Sequence, residues 1–231
     1  MKAFFALLFS ALWVSAANPA SDMKLSFSDD FESGKVDETK WVLGCDAMMI
    51  SFPKVGRSTA LRISAVNKKR NSVSTSGKFE QMYGYFEASM RMPPYNARVS
   101  CRFSLPPVGS GEKDVPNIQL LWDASGADLV VPWARMSLTD GQHDLRPDGK
   151  LPKVLKPKES YEKFNTYGFL WTEKAYVWFI NGKKVHQLDK QNVAKPLRVA
   201  FDVTPDSPAN EKLKPQMLDD SVDIDWVKVW K

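Results

Sequence analysis

Short windows of alternating apolar and polar residues recur along the chain. A period of two is typical of β-strands that bury one face, because successive side chains of a strand point to opposite sides. After the N-terminal segment, no window keeps the apolar spacing of an amphipathic helix over three turns. Eight windows are therefore predicted to be strands: Ala60–Ala65, Tyr85–Met92, Arg98–Leu105, Asn117–Trp122, Thr166–Trp171, Tyr176–Ile180, Leu197–Val203 and Val222–Trp230.

The clearest local prediction is a β-hairpin after Tyr176–Ile180. Asn181-Gly182 separates this strand from Lys184–Leu188, and these two residue types best tolerate the positive φ of a tight hairpin turn. Many short strands without alternating helices predict an all-β sandwich or barrel. Proline-containing segments are predicted to be loops between the strands: Pro93-Pro94, Pro106-Pro107, Pro147–Gly149 and Pro205–Pro208.

Composition supports one sizeable hydrophobic core. The chain has 231 residues, of which 43% are hydrophobic and 26% charged, and this balance excludes a disordered chain. The 32 Lys and Arg residues exceed the 27 Asp and Glu residues, which gives a formal net charge of +5. The surplus is small and scattered, so it predicts a solvated surface and no nucleic-acid partner.

The N-terminal segment has the pattern of a secretory signal. Lys2 precedes the apolar stretch Phe4–Val14, and the small residues Ser15–Ala17 follow it. The stretch is shorter than the roughly 20 residues that a membrane-spanning helix needs. The prediction is a signal peptide at residues 1–17, cleaved between 16 and 20, and a single domain at 18–231. A secreted or periplasmic protein without an integral membrane segment follows; a buried N-terminal helix is the alternative.

The only two cysteines are Cys45 and Cys101. An even count in an exported protein favours a single disulfide between them. Two buried thiols are the alternative, because the sequence does not establish the Cα separation that a disulfide requires.

Several segments occur in an order and at spacings typical of one known family: Phe27–Glu32 with Val36–Trp41, then Ser76–Phe79 with Tyr83–Met92, then Phe164–Thr172, Val177–Lys183 and Val222–Trp230. Together they resemble glycoside hydrolase family 16, the group of licheninases, laminarinases and related β-glucanases. The resemblance implies a concanavalin-like β-jelly-roll sandwich of two antiparallel sheets. It also implies a concave face that binds a glycan.

The same resemblance implies a catalytic strand with the pattern Glu-x-Asp-x-Glu. The strand that should carry it contains Asn117 at the nucleophile position, Gln119 at the helper position and Leu121 at the acid/base position. None of these side chains ionises, so the two carboxylates of a retaining glycosidase are missing from the strand. The first hypothesis is therefore an exported protein that binds a β-glucan-like polysaccharide without hydrolysing it.

Displaced carboxylates are the basis of an alternative function. Glu112 and Asp114 lie just upstream of the motif strand, but Pro116 cannot donate to a central strand ladder. Asp123 has the same strand parity as Asn117, although a turn aspartate is an equally good interpretation. An active glycosidase or transglycosylase using these three carboxylates is the first alternative. A structural or partner-binding sandwich, contacting protein through the basic segment Lys150–Lys163, is the second.

Four residues are predicted to bind the glycan. Aromatic rings stack on the apolar faces of sugars while amides and guanidinium groups satisfy hydroxyls. Arg102 alternates with Cys101 and Phe103 and is therefore placed in the cleft if those two residues face the core. The predicted set is Arg102, Asn117, Gln119 and Trp133, whereas Trp122, Trp171 and Trp178 are assigned to the core.

A structural calcium ion is implied only by the resemblance. The family position for one carboxylate ligand corresponds to Asp225 in the last predicted strand. Calcium takes six to eight oxygen ligands, so a single aspartate is a thin basis for a site. No other cofactor is predicted.

Overall fold

The structure is a computed structural model that describes residues 19–65, 69–93, 99–107, 117–123, 133–135, 138–139, 155, 159–189, 195–205 and 221–231. The predicted signal peptide, Glu112, Asp114 and most of Lys150–Lys163 lie outside these residues. No helix among the described residues is long and apolar enough to cross a membrane.

Strands account for almost all of the regular structure in the described part of the chain. One short α-helix, α1, spans Glu159–Glu162, and a single 3₁₀ turn spans Ala47–Met49. The strands, in chain order, are β1 (Leu25–Asp29), β2 (Val42–Leu43), β3 (Ile50–Ser51), β4 (Lys54–Val55), β5 (Ser58–Thr59), β6 (Leu61–Ser64), β7 (Asn71–Ser74), β8 (Gly84–Arg91), β9 (Val99–Leu105), β10 (Asn117–Asp123), β11 (Trp133–Arg135), β12 (Leu138–Thr139), β13 (Asn165–Trp171), β14 (Ala175–Ile180), β15 (Lys183–Asp189), β16 (Ala200–Pro205) and β17 (Ser221–Trp230).

All eight strand windows predicted from the alternation are confirmed, with ends that shift by a few residues. They correspond to β6, β8, β9, β10, β13, β14, β16 and β17. The hairpin between β14 and β15 is confirmed as well. Asn181 and Gly182 have φ values of 50° and 71°, which is the backbone geometry that their residue types predict for a tight turn.

Two large antiparallel sheets form a β-jelly-roll sandwich, as the resemblance implies. Within the described residues, one sheet has eight strands in the order β15-β14-β13-β8-β17-β6-β3, with β1 also paired to β17. The other sheet has seven strands in the order β11-β10-β9-β16-β7-β2, with β12 also paired to β10. The short strands β4 and β5 pair separately.

The hydrophobic core lies between the two sheets. Phe103 of the seven-stranded sheet stacks on Phe201 of the same sheet, with ring centroids 5.1 Å apart. It also contacts Phe169 of the eight-stranded sheet at 4.9 Å, so the two sheets meet at this ring. Trp171 and Trp178, both assigned to the core from the sequence, are each 1% exposed.

The disulfide prediction is wrong in this structure, because Cys45 and Cys101 are both thiols. The Cys45 Sγ lies 3.6 Å from the Ser72 carbonyl oxygen, beside β7. Cys101 lies on β9, and β16 runs between β7 and β9. Two strand spacings amount to about 10 Å, which exceeds the roughly 7 Å that a disulfide allows between Cα atoms.

Candidate functional site

One side of the seven-stranded sheet is lined by polar residues. In β9, Cys101 and Phe103 are fully buried in the core, so the residues between them lie on the opposite side. In β16, the same alternation places Phe201 and Val203 in the core. The side turned away from the core, called the polar face below, contains Ser72, Ser74, Ser100, Arg102, Ser104, Asp202 and Thr204.

The motif strand β10 runs along this face. Its register places Gln119 opposite Ser104, Leu121 opposite Arg102, and Asp123 opposite Ser100 of β9. Because residues directly opposite one another share a face, positions 117, 119, 121 and 123 belong to the polar face. The three positions that the family resemblance assigns to catalysis are therefore on the correct side of the sheet, and they hold no ionisable residue.

The remaining predicted glycan-binding residue lies on the neighbouring strand. Trp133 of β11 is opposite Asp123, and Arg135 is opposite Leu121. All four predicted residues, Arg102, Asn117, Gln119 and Trp133, therefore occupy adjacent strands of one sheet. The alternation within β9 alone predicts that Arg102 lies on the polar face. The position of Trp133 follows only from the pairing of β10 with β11.

Asp202 is a buried carboxylate of the polar face that the sequence analysis did not select. It lies opposite Arg102 and is 1% exposed. Its Oδ2 is 3.4 Å from Arg70 Nη2, and its Oδ1 is 3.8 Å from Arg102 Nη1. Burial raises the pKa of the Asp202 carboxyl, and the two arginines offset part of that rise. Its alternation with Phe201 and Val203 was the available sequence signal.

Two acidic residues occur on the described strands of the seven-stranded sheet, Asp123 and Asp202. They are two strands apart and offset by two residues, because Asp123 pairs with Ser100 and Ser100 with Thr204. This arrangement separates their Cα atoms by about 12 Å. A retaining glycosidase needs its two carboxyl groups about 5 to 5.5 Å apart. The retaining geometry is therefore not available to this pair without a large backbone shift.

A half-buried carboxyl with a perturbed pKa belongs to the opposite sheet. Glu87 of β8 accepts a hydrogen bond of 2.9 Å from the Tyr85 hydroxyl. Burial raises the pKa of Glu87, and hydrogen bonds from Tyr85 and Thr166 offset part of the rise. Glu87 alternates with Phe86 and Ala88, which are buried in the core. It therefore lies on the outer side of the eight-stranded sheet, remote from the polar face.

This position gives Glu87 a pH-dependent effect on stability. A carboxyl whose pKa is raised by folding binds more protons in the folded state, so stability falls as the pH rises above the usual glutamate pKa. Glu87→Gln is therefore expected to raise the free energy of unfolding at pH 7 and to leave it nearly unchanged at pH 3.5, as measured by urea denaturation. Glu173→Gln is the matched control, because Glu173 is exposed. Equal effects of Glu87→Gln at both pH values would contradict a raised pKa of the Glu87 carboxyl in the folded protein.

The calcium ion at Asp225 stays a prediction. Among the residues that the structure describes, no three acidic, histidine or cysteine side chains group closely enough to hold a metal. The Asp225 carboxylate accepts a hydrogen bond of 3.4 Å from Ser89, and the nearby Asp223 is already paired with Arg62 and Arg91.

Comparisons with known proteins agree with this architecture. The family model described as Glycosyl hydrolases family 16 matches residues 139–228, a segment that begins after the motif strand. The Rhizobium meliloti (strain 1021) protein Endo-1,3-1,4-beta-glycanase ExsH is 22% identical over 142 residues, which are 62% of this chain and 29% of that protein. The chain thus spans less than a third of the length of this curated relative.

Solved structures share the fold. The GlcNAcα1-4Gal releasing endo-β-galactosidase from Clostridium perfringens superposes with a TM-score of 0.69 at 15% identity, over 91% of this chain and 62% of that one. The laminarinase from Flavobacterium sp. UMI-01 superposes with a TM-score of 0.67 at 15% identity, over 90% of this chain and 100% of that one. The shared sandwich shows the fold, and the model match through β13–β17 and the curated relative show that the chain is similar to family 16 of the glycosyl hydrolases.

Proposed function

We propose that this protein is exported and binds a polysaccharide of the β-glucan type on its polar face without hydrolysing it. The observation that carries the proposal is the register of β10. It puts Asn117, Gln119 and Leu121 at adjacent polar-face positions, where the family chemistry requires carboxylates. An amide is a very poor nucleophile and a leucine has no proton to transfer, so double displacement has no groups to carry it.

The rest of the polar face supports sugar binding. Serine and threonine hydroxyls, two amide positions and a guanidinium group offer both donors and acceptors to sugar hydroxyls. Trp133 at the edge of this array supplies a ring on which a pyranose can stack. A face of this composition can bind a sugar through its hydroxyl, amide, guanidinium and aromatic groups although it lacks the catalytic carboxylates.

The alternative enzyme is an inverting glycosidase that uses Asp123 and Asp202. The observation that favours it is their common face, since inverting enzymes tolerate a carboxyl separation of about 6.5 to 9.5 Å. Against it, Asp202 is 1% exposed and flanked by two arginines, so a sugar cannot approach its oxygens without displacing them. We therefore prefer the binding function.

The test combines hydrolysis and binding on the same preparation. The chain without residues 1–17 is expected to release no reducing sugar from laminarin or barley β-glucan above a heat-denatured blank. The same protein is expected to be retarded in native gels that contain laminarin. Trp133→Ala is expected to weaken this retardation about tenfold, because a stacking interaction is lost.

The control variant is Trp226→Ala, which removes a half-buried tryptophan from the eight-stranded sheet and should leave binding unchanged. Reducing-sugar release that disappears in Asp123→Asn, Asp202→Asn or Glu112→Gln would establish the displaced-carboxylate enzyme instead. Absence of both hydrolysis and retardation would favour the partner-binding sandwich.

A further inference from the structure

Arginines outnumber carboxylates on the polar face. Among the side chains that the structure describes there, Arg70, Arg102 and Arg198 all lie on this side of the sheet, and Asp202 is the one acidic group beside them. Arg198 is on this side because its neighbours Leu197 and Val199 are fully buried in the core. The face therefore has a net positive charge in its described part.

Arg102 lies near Asp202, but some of its hydrogen-bond donors have no partner among the described residues. Its Nη1 is 3.8 Å from Asp202 Oδ1, which is an ion pair beyond hydrogen-bond distance. Its buried Nε has no hydrogen-bond partner in the described part of the chain. Its side chain is 31% exposed, so a ligand on the face can reach the guanidinium group. Its strand position is opposite Leu121, the last of the three motif positions on β10.

Arg198 repeats these features two residues before the start of β16. Its Nη1 donates a hydrogen bond of 3.2 Å to Ser76 Oγ, which fixes the guanidinium group in place. Its buried Nε has no hydrogen-bond partner, and no carboxylate of the described residues pairs with it. Arg198 is four residues before Asp202, so the two arginine sites are separated by about 13 Å along the strand direction. A single extended polymer can contact both.

We propose that the polar face binds an acidic polysaccharide, with the guanidinium groups of Arg102 and Arg198 each receiving an anionic substituent of the polymer. This inference rests on the proposed polysaccharide-binding function and adds the class of polysaccharide. The ligand group is a carboxylate or a sulfate ester, because the planar fork of arginine donates two parallel hydrogen bonds to such oxyanions. Neutral sugar hydroxyls cannot use the charge of these groups.

Asp202 has a defined part in this arrangement. Its buried carboxylate oxygens lie 3.4 Å from Arg70 Nη2 and 3.8 Å from Arg102 Nη1, so its charge attracts both guanidinium groups. It also competes with a bound anion for the same guanidinium groups. Removing its charge while keeping its size should therefore strengthen the binding of an anion. If the three residues served only the fold, the same substitution would strengthen nothing.

Three probes with one backbone separate charge from sugar recognition. They are unmodified laminarin, laminarin oxidised at C6 to carry carboxylates, and laminarin sulfate, each titrated by calorimetry into the chain without residues 1–17. Both charged probes, or one of them, are expected to bind at least tenfold more tightly than neutral laminarin in 20 mM salt. This advantage should shrink markedly in 500 mM salt, because screening weakens exposed ion pairs. The stronger charged probe identifies the substituent.

Single variants test the assigned residues. Arg198→Gln is expected to weaken the charged probe about tenfold and to leave neutral laminarin nearly unchanged. Arg102→Gln also removes donors to sugar hydroxyls, so it is expected to weaken both probes, and the charged probe about tenfold more than neutral laminarin. Asp202→Asn is expected to tighten the charged probe. Arg57→Gln is the control, because it removes the same charge from an exposed turn between β4 and β5. Thermal unfolding of each variant confirms that it is folded.

Each contrary outcome has one meaning. Equal affinity for all three probes overturns the inference and leaves the proposed function standing. An equal loss in Arg57→Gln and in both polar-face variants also overturns it, since binding would then follow overall charge. If Arg102→Gln does not fold, Arg198→Gln and Asp202→Asn decide the question. Binding of none of the probes overturns the proposed function and the inference together.

Discussion

Asp223→Asn is expected to lower the free energy of unfolding by about 3 kcal/mol, because it leaves two largely buried arginines without their counterion. Asp223 is 3% exposed and lies on β17 between Arg62 and Arg91. Its Oδ1 is 2.7 Å from Arg62 Nε, and its Oδ2 is 3.0 Å from Arg62 Nη2 and from Arg91 Nε. Urea denaturation at pH 7 measures the loss.

The matched control is Asp202→Asn, the same substitution in a second Arg–Asp–Arg group. The arginines beside Asp202 are more exposed, 46% and 31% against 28% and 25%, and their contacts are longer. Burial also raises the pKa of Asp202, which means that folding disfavours its ionised form, so removing the charge offsets part of the lost ion pairing at pH 7. Asp202→Asn is expected to cost less than about 1 kcal/mol. Equal losses of unfolding free energy in Asp223→Asn and Asp202→Asn would contradict the view that the Asp223 group is structural whereas the Asp202 group serves ligand binding.

The strands could be predicted from the sequence because their pattern is local. β9 and β17 alternate apolar and polar residues since each has one face in the core, and this signal needs no knowledge of partners. β7, Asn71–Ser74, was missed because Val73 is its single apolar residue. Its pairing with β16 and β2, rather than its own side chains, determines that it is a strand.

The family resemblance was recognisable because its residues make fold-specific contacts. Asp29 accepts a hydrogen bond of 2.8 Å from Trp41 Nε1 and another of 2.9 Å from the Phe31 backbone N–H. Phe31 and Trp41 are each 2% exposed, so this N-terminal pattern anchors β1 to the core. Residues of this kind are required by the fold, and their contacts do not involve the motif strand. The fold was therefore predictable even though the catalytic pattern is missing.

The composition of the site was only half predictable. Parity placed Arg102, Asn117 and Gln119 on one face, and the register confirms that placement. The pairing of Arg102 with Asp202 joins residues one hundred positions apart in the chain, so it depends on the order of strands in the sheet. The disulfide prediction was wrong for the same reason. Residue spacing contains no information about which strands lie between two cysteines.

Gly84→Ala is expected to lower the free energy of unfolding by about 4 kcal/mol, and Gly84 is the second residue of the family-like segment Tyr83–Met92. Its φ is +122°, and a Cβ there would lie 2.1 Å from the Trp230 backbone oxygen. A side chain at such a φ costs about 1 to 3 kcal/mol, and displacing a packed backbone costs about 1 to 3 kcal/mol more.

The contact between a Cβ at position 84 and the Trp230 backbone oxygen explains why the expected loss is large. The clash falls where β8 pairs with the end of β17, and the backbone of Trp230 cannot rotate away as a flexible side chain could. Gly77→Ala is the control, because Gly77 has a φ of +68° but no heavy atom within 4 Å of its would-be Cβ. It should cost about 1 kcal/mol from backbone conformation alone. Urea denaturation of both variants measures the difference; similar losses would mean that the contact with β17 contributes nothing, and that backbone conformation alone accounts for the glycine at position 84.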